Sequence, residues 1–380
     1  MGFMSKALGA TIAICAASLV ALSAGAWSSR AAPQATATPT TFASLVAKLS
    51  EPGGDFGGDN LISNEQSYLH VMNALEQGRV TGGAYLGVGP DQNFSYIGQI
   101  RPAVAFLIDI RRDNLLLLLL FKAIFAQAPT RVEYLCLLTG RAPPPMPETW
   151  GAATIDRIVT YVDATGALPD TRQAQIRARL EQTMKGFGVP LSAADFATID
   201  GRRREFVYAG LSLAFAVRGR PPAPYYPTLR TLLKETDRSG RQVSFLASEP
   251  SYQFVRGLQA RDLVIPVVGD VSGPRAMNAI AAEMAARQTP LSAFYISNVE
   301  QYLFGDGTFP AYVENLKRMP RDARSTIIRS VFPSGFRGPL PGAVAGSYSA
   351  SLTQPLTQML GDIAAGRTRT YMDLVLGSGK

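Results

Sequence analysis

The feature that most constrains the fold is a glycine turn between two short apolar runs. The first run ends at Gly87 and Gly89, a helical pattern begins near Asp91, and the second run ends at Asp109, roughly 20 residues after the first glycine. This order of strand, glycine turn, helix, strand and acid is how α/β folds build a nucleotide pocket. Glycines let the backbone approach a ligand, the helix offers its N-terminus, and the acid accepts hydrogen bonds from ribose hydroxyls. The alternative is an ordinary βαβ turn with a solvated Asp109.

The glycine turn also indicates which nucleotide fits better. The dinucleotide fingerprint has Gly or Ala at its sixth position, where this chain has Gln92. The turn therefore suits NAD less well than S-adenosylmethionine, whose ribose is held by the same acid.

Length and composition are those of a globular protein. The chain has 380 residues, of which 47% are hydrophobic and 17% are charged, enough to bury the core of one large domain or two. The net charge of +8 comes mostly from scattered Arg residues without interleaved aromatics. This pattern favours a solvated basic surface and predicts no nucleic-acid partner.

Residues 1–26 are typical of an export signal. Lys6 is followed by the apolar run 7–22 and by the small residues 24–26. We therefore expect a periplasmic or secreted protein, with an inner-membrane anchor formed by the uncleaved segment as the alternative, and no other membrane span. No pair of arginines precedes the apolar run, which favours export of an unfolded chain.

Few residues are available for metal or thiol chemistry. Cys15 lies in the signal, so Cys136, in an apolar run, is the one mature thiol and is expected to be buried. The single histidine, His70, excludes multi-histidine metal sites and argues against a serine hydrolase with a histidine base. We predict no metal, and acid–base work would then fall to carboxylates or tyrosines.

Alternating apolar runs and helical patterns predict a doubly wound, mostly parallel Rossmann-like α/β sheet with a helical insertion. The segments expected from the sequence are, in order, a signal (1–26), a flexible N-terminal segment with one short helix (27–60), the first half of the Rossmann-like domain (61–140), the insertion (141–250), the second half (251–335) and a tail with one helix (336–380). We expect regular structure to begin near Leu61.

Three segments, 63–71, 247–255 and 297–302, share a glutamate and a tyrosine. A helix that precedes a parallel strand starts at the carboxyl edge of the sheet, so we expect Glu65 and Glu249 at the edge where such sheets bind ligands. The alternative for the first and third segments is structural. Ser63 with Gln66, and Ser297 with Glu300, match the capping box that satisfies backbone donors at a helix start.

Arg111 is a smaller signal, because an arginine at the start of a helix opposes the helix dipole. An anionic ligand could offset this cost, although an exposed pair with Asp113 is the simpler explanation.

Together these patterns give two sets of candidate residues at one edge of the sheet. The candidate ligand-binding residues are Glu65, Tyr68, Gly87, Gly89, Asp109, Arg111, Gly269, Asp270 and Ser297, and the candidate catalytic residues are Asn298, Glu300 and Tyr302.

Four phrases of the sequence, at 85–96, 109–114, 267–274 and 297–304, resemble those of an uncharacterised bacterial family described as having a methyltransferase-like fold. The resemblance covers roughly residues 61–335. Similarity to class I S-adenosylmethionine-dependent methyltransferases in general is looser.

That looser similarity implies a role for each matched position. Gly87 and Gly89 would lie at the methionine end of the cofactor, Asp109 at the ribose, Asp270 near the adenine, and Ser297 with Asn298 where the methyl group meets its acceptor. The usual Asp/Asn-Pro-Pro-Tyr phrase is absent, and the glycine motif is reduced. The resemblance therefore supports the fold better than it supports methyl transfer.

The leading hypothesis is an exported protein that binds a small adenosyl-type ligand, with Asn298 or Tyr302 positioning a methyl acceptor. S-adenosylmethionine is made in the cytosol, so export favours the alternative of a non-catalytic binding or scaffold protein that retains the fold. A third hypothesis is a hydrolase with Glu65 or Glu300 as its base. The sequence does not indicate the oligomeric state.

Overall fold

Six strands form one sheet in the order β3-β2-β1-β4-β5-β6, in which β1 to β5 are parallel and β6 is antiparallel to β5. The computed structural model describes residues 41–58, 60–217, 223–333 and 340–377. The strands are β1 (Ala84–Val88), β2 (Val104–Asp109), β3 (Val264–Val268), β4 (Leu291–Ser297), β5 (Arg321–Val331) and β6 (Ala350–Pro355). The α/β architecture with a mostly parallel sheet is thus confirmed.

Helices connect and cover the strands. Those up to residue 209 are α1 (Phe42–Leu49), α2 (Met72–Gln77), α3 (Gln92–Ile100), α4 (Arg112–Gln127), α5 (Arg131–Leu138), α6 (Ile155–Ala164), α7 (Asp170–Gly186) and α8 (Ala193–Ala209). The later ones are α9 (Leu229–Lys234), α10 (Glu249–Ala260), α11 (Ala276–Ala286), α12 (Val299–Gly305), α13 (Phe309–Arg318), α14 (Leu356–Ala364) and α15 (Tyr371–Leu376). Short 3₁₀ turns occupy Gln66–Val71, Pro147–Ala152 and Gly210–Ser212.

The central strands are buried on both faces, as their unbroken apolar sequences require. Neighbouring side chains of β4 show the two layers. Phe294 contacts Tyr312 of α13, whereas Tyr295 contacts Tyr96 of α3. Helices α3 and α13 therefore cover opposite faces of the sheet.

The leucine run 115–120 lies in α4, which is buried on all sides. The helix packs on β2 and β3, and α7, α8 and α10 pack on the helix. A helix that is apolar all round needs such enclosure, so the prediction of a buried helix on the sheet is confirmed.

Residues 41–58 contain the short helix expected in the N-terminal segment, which is confirmed as α1, but they also differ from the expectation that regular structure begins near Leu61. Helix α1 packs beside the edge strand β3 and buries Phe42 and Leu49. After it, Ser50 Oγ accepts a hydrogen bond from the Val268 N–H, and the Glu51 N–H donates to the Val268 carbonyl. These contacts satisfy backbone groups at the open edge of the sheet, which explains why a Gly- and Pro-rich segment is held in place.

The tail contains a strand that the sequence analysis missed. Residues 350–355 pair antiparallel with β5, from Val331↔Ala350 to Thr326↔Pro355. The expected helix follows directly as α14, and α15 is a further helix. Half of its residues, Ser351, Thr353 and Gln354, are polar, so the strand lacks the apolar run of β1 to β4.

Two predicted helices are divided. The one expected over 64–77 begins as the 3₁₀ turn Gln66–Val71. The one expected over 299–318 breaks into α12 and α13, where Gly307 has φ +71°, a left-handed conformation that interrupts a helix.

The segment predicted as a helical insertion, 141–250, holds α6 to α9 and the start of α10. In the described ranges, no helix is both long and apolar enough to cross a membrane. The predicted signal, residues 1–26, lies outside those ranges.

Candidate functional site

The carboxyl ends of four adjacent strands place the predicted site residues along one edge of the sheet. Gly89 follows β1, Asp109 ends β2, Asp270 follows β3, and Asn298 follows β4. The strand order reverses between β1 and β4, because β2 and β4 lie on either side of β1. Open α/β sheets form their ligand crevice at such a reversal. We call this region the crevice.

The space beside the glycine turn is occupied by the side chain of Asn93. Gly89 has φ +84°, and a Cβ on Gly87 would overlap Asn93 Oδ1. Asn93 Nδ2 donates to three carbonyl oxygens of residues 88–90, and its Oδ1 accepts from Tyr85 Oη at 2.7 Å. Gly87 thus makes room for Asn93 rather than for a ligand.

Two side-chain carbonyl oxygens beside Gly89 lack hydrogen-bond donors. Gln92 is 7% exposed and Asn114 is 3% exposed, and within the described part of the chain neither Gln92 Oε1 nor Asn114 Oδ1 has a partner. Asn114 Nδ2 donates to the Gly89 carbonyl at 3.4 Å, so this amide lies against the turn. Burial raises the pKa of the neighbouring Asp91 to about 7, although hydrogen bonds from its own and the Gln92 backbone N–H lower it. These three side chains offer acceptors to a ligand that carries donors.

Asp109 and Arg111 are paired with each other. Arg111 Nη2 lies 2.9 Å from Asp109 Oδ2, its Nε lies 3.0 Å from Oδ1, and its Nη1 donates to the Gly58 carbonyl at 2.6 Å. Arg111 is therefore not an exposed partner of Asp113, which pairs with Arg202 instead. Both carboxylate oxygens that the sequence analysis assigned to a ribose are engaged.

Residues 50–58, which we call the strap, lie over the carboxyl ends of β2 and β3. Glu51 accepts hydrogen bonds from the backbone N–H of Asp270, after β3, and from those of Arg275 and Ala276, at the start of α11. Farther along, the ring of Phe56 lies between Arg111 and Tyr302. The strap thus occupies the part of the crevice where the resemblance implies ribose and adenine.

Glu65 is fully buried and is surrounded by hydroxyl groups. Tyr295 and Ser330 donate to its Oε2, and Ser297 donates to its Oε1. Burial raises the pKa of Glu65, while the hydrogen bonds from Ser297, Ser330 and Tyr295 lower it. Across the described ranges, no Lys or Arg forms an ion pair with this carboxyl.

The hydroxyl groups continue beyond Glu65. Ser330 Oγ lies 3.3 Å from Ser351 Oγ, which lies 3.1 Å from Ser67 Oγ, and Ser67 Oγ lies 2.7 Å from Ser349 Oγ. The sequence analysis missed Ser330 and Ser351. The one signal was a polar Arg-Ser pair inside the otherwise apolar second half of β5.

Glu300 is buried on the opposite face of the sheet. Arg329 contacts it through Nε at 2.6 Å and Nη2 at 3.2 Å, and Tyr312 Oη lies 3.5 Å from its Oε1. Glu300 and Arg329 thus form an enclosed ion pair, which the crevice does not reach.

Neither predicted capping box forms. Ser63 Oγ accepts from the Glu65 N–H, two residues away, and the 3₁₀ turn has no side-chain cap. Ser297 uses its hydroxyl on Glu65, while Asn298 precedes α12 without capping it. In both segments the serine forms a hydrogen bond with Glu65 instead, Ser63 with its backbone N–H and Ser297 with its carboxyl group.

Of four further predicted residues, two are packed inside the protein and two lie at its surface. Tyr68 is buried and donates to the Leu232 carbonyl at 3.0 Å, and Gly269 leaves space that Ala276 fills. Asn298 is partly exposed, and Tyr302 is 44% exposed. Of these four residues, Asn298 and Tyr302 face solvent beside the crevice.

Glu249 does not lie at this edge. It is 3.4 Å from Arg131, which follows the end of α4, and Ser251 packs against Gly98 in the last turn of α3. Because α3 and α4 begin at the carboxyl edge and run away from it, these contacts place Glu249 at the amino edge. The prediction that it shares an edge with Glu65 is wrong.

Two cavities lie outside the crevice. A groove of about 760 Å³ runs between α7 and α8, and a smaller one of about 330 Å³ lies near Gly98 and Ser251. Among the residues that the structure covers, no three His, Cys, Asp or Glu side chains are arranged to hold a metal ion. Cys136 is buried, and burial raises the pKa of its thiol to about 12.

Comparison with protein-family models identifies the family of this chain. Residues 61–143 and 222–374 match a family model described as a domain of unknown function (DUF7790), and the unmatched stretch between them contains α6 to α8. No curated protein matches the chain. The matched residues are more than half of the chain and include all six strands, so this protein belongs to the DUF7790 family.

Proposed function

We propose that this protein binds a small adenosyl-type ligand in the crevice, with S-adenosylmethionine as the first candidate and methyl transfer to an acceptor near Asn298 and Tyr302 as the candidate reaction. The methyltransferase-like form of the sheet is part of the same proposal. It is supported by the strand reversal between β1 and β4, and by the resemblance of the glycine turn.

One observation carries the ligand proposal. Gln92 Oε1 and Asn114 Oδ1 are buried beside Gly89 and, in the described ranges, have no donor. A buried acceptor without a donor costs roughly 1 to 3 kcal/mol, which a ligand with ammonium or hydroxyl groups would recover. Asp91 adds a carboxyl that, when ionised, favours a cationic ligand. S-adenosylmethionine carries an ammonium group, a sulfonium and two ribose hydroxyls.

A second candidate is a non-catalytic binding or scaffold protein. It is supported by the strap, because Arg111 occupies Asp109 and Glu51 occupies the backbone donors at the start of α11. Export through the segment 1–26 would also separate the protein from cytosolic S-adenosylmethionine. In this alternative the crevice no longer binds a ligand, because the strap stays in it permanently.

Calorimetry with S-adenosylmethionine and S-adenosylhomocysteine distinguishes the two candidates. We expect micromolar binding by the purified protein and about tenfold weaker binding in Asn114→Leu, since the loss of one buried hydrogen bond is worth about 1.4 kcal/mol. Binding should be tighter in Glu51→Ala, because a strap that must open reduces the apparent affinity. Glu314→Ala, whose carboxylate contacts Lys317 on the surface, is the matched control.

If calorimetry detects no binding of either ligand to the wild-type protein or to Glu51→Ala, the adenosyl ligand is rejected. Binding that is insensitive to Asn114→Leu would place the ligand elsewhere on the molecule.

A further inference from the structure

The backbone at the end of β4 is strained at a residue that is not glycine. Ser297 has φ +57°, in the left-handed region, at the sharp turn between β4 and α12. An L-residue other than Asn or Asp adopts this conformation at a cost of roughly 1 to 2 kcal/mol, and such strain is concentrated at functional sites. A serine on a strained turn between a strand and a helix is also how α/β hydrolases expose a nucleophile.

The hydroxyl of Ser297 already contacts a base. Ser297 Oγ donates to Glu65 Oε1, and the other carboxylate oxygen accepts from Tyr295 and Ser330. These bonds fix the orientation of the carboxyl group. A nucleophile that is hydrogen-bonded to a base, with the base oriented by further groups, is the general arrangement of nucleophilic catalysis.

Burial differs between the two partners in the way that such chemistry needs. Ser297 is partly exposed at the crevice, whereas Glu65 is 0% exposed behind it. Burial raises the pKa of Glu65, so its ionised form is a stronger base than an exposed carboxylate. The serine can thus meet a substrate while its base stays shielded from water.

We propose that Ser297 is a nucleophile, activated by Glu65, that cleaves carboxylic esters. Ser297 Oγ forms a bond to the acyl carbon while its proton moves to Glu65, and the ester C–O bond then breaks as the leaving alcohol takes that proton. Water attacks the acyl-serine in the same way, with Glu65 accepting its proton and returning it to Ser297 Oγ. The products are a carboxylic acid and an alcohol. This proposal does not depend on the adenosyl ligand.

Two measurements test it on the purified protein. The first is covalent labelling by a fluorophosphonate, in which the serine oxygen bonds to phosphorus, fluoride leaves and Glu65 takes the proton, with the labelled residue found by mass spectrometry. The second is hydrolysis of p-nitrophenyl acetate. We expect one label, on Ser297, and a rate that falls by about 100-fold or more in Glu65→Gln, as is typical when a general base is lost.

Ser297→Gly separates chemistry from folding. Glycine adopts φ +57° without strain, and this relief offsets the loss of the hydrogen bond to Glu65, so the variant should stay close to the wild-type melting temperature while it loses the label and the esterase activity. Ser292→Ala is the control on the same strand, since Ser292 bonds to the Gly82 carbonyl at the opposite edge of the sheet. It should retain labelling and rate.

A wild-type protein that takes no label on Ser297, or a Ser297→Gly variant that hydrolyses the ester at the wild-type rate, would overturn the proposal. An unchanged rate in folded Glu65→Gln would remove Glu65 as the base.

Discussion

Glu65 and Glu300 are two buried glutamates that contact opposite faces of the same strand, β5. Their partners are consecutive residues, Ser330 for Glu65 and Arg329 for Glu300, whose side chains alternate across the sheet. Both glutamates are at most 1% exposed. They differ in what surrounds them, because Glu300 has a guanidinium and Glu65 has only hydroxyl groups around it in the described ranges.

This difference indicates which of the two glutamates can act as a base. The ion pair of Glu300 and Arg329 is enclosed, and Gln354 Oε1 accepts from the same guanidinium at 2.9 Å. A buried carboxylate that is paired with a buried guanidinium serves the fold. Among the described residues, Glu65 accepts hydrogen bonds but pairs with no cation, and burial raises its pKa. One of its donors, Ser297, is partly exposed.

The largest expected effect comes from Arg329→Met, which leaves Glu300 buried without a cation. We expect the free energy of unfolding to fall by about 3 to 5 kcal/mol, as when one partner of a buried pair is removed. Denaturant unfolding of wild type and variant measures the change. Arg324→Met, at an exposed pair with Asp322, should change stability by less than about 0.5 kcal/mol.

The double variant Glu300→Leu with Arg329→Met should recover most of this loss, because it removes both charges together. A loss below about 1 kcal/mol in Arg329→Met would show that Glu300 tolerates isolation, and the contrast with Glu65 would then disappear.

The next effect is the pH dependence of Glu65→Gln. The pKa of Glu65 is raised in the folded protein, so the folded state holds the proton more tightly than the unfolded state. Its contribution to stability is therefore complete below the unfolded pKa of about 4.5, and it is lost as the pH rises through the folded pKa. Glutamine does not titrate, so the stability of Glu65→Gln relative to wild type should increase with pH.

Unfolding curves between pH 4 and pH 8 measure this difference, for which we expect about 2 kcal/mol, the scale of burying a polar group with incomplete compensation. Glu148→Gln, at an exposed position, is the control for the substitution itself. A difference between Glu65→Gln and wild type that is constant across the pH range would mean that Glu65 titrates as an exposed glutamate does.

The parallel part of the fold could be predicted because its signals are local. Each of β1 to β4 is an apolar run, and the glycine turn and Asp109 mark where two of the strands end. β6 carries no such pattern, since Ser351 is buried against other hydroxyls rather than against apolar side chains. A polar strand of this kind is identified only through its partner strand.

The site was predictable in position but not in its contacts. Parallel topology alone places Gly89, Asp109 and Asp270 on one edge. That Arg111 closes on Asp109, and that Glu51 reaches the start of α11, depends on contacts between residues far apart in the chain. Composition made residues 50–58 resemble a flexible segment, because Gly and Pro residues do not indicate which distant parts of the chain hold them in place.

The shared Glu and Tyr pattern shows the same limit at the level of single residues. It marked Glu65, Glu249 and Glu300 as equivalents, yet they lie at a hydroxyl cluster, at the amino edge and in an ion pair. Arg329 and Ser330, which distinguish the environments of Glu300 and Glu65, lie on β5, and Glu249 contacts Arg131 instead, so each partner is remote in sequence from the pattern.

The smallest expected effect comes from Ser330→Ala, which removes one of the three hydroxyl donors that Glu65 has among the described residues. We expect a loss of about 1 kcal/mol at neutral pH, the usual net worth of one hydrogen bond, together with a further rise in the pKa of Glu65, because a donor that stabilises the ionised carboxylate is gone. Ser351→Ala is the matched control, since Ser351 contacts Ser330 and Ser67 but not the carboxyl. The two variants should therefore differ in the pH at which stability changes. If they coincide, the hydroxyl groups act only as packing, and Glu65 is as purely structural as Glu300.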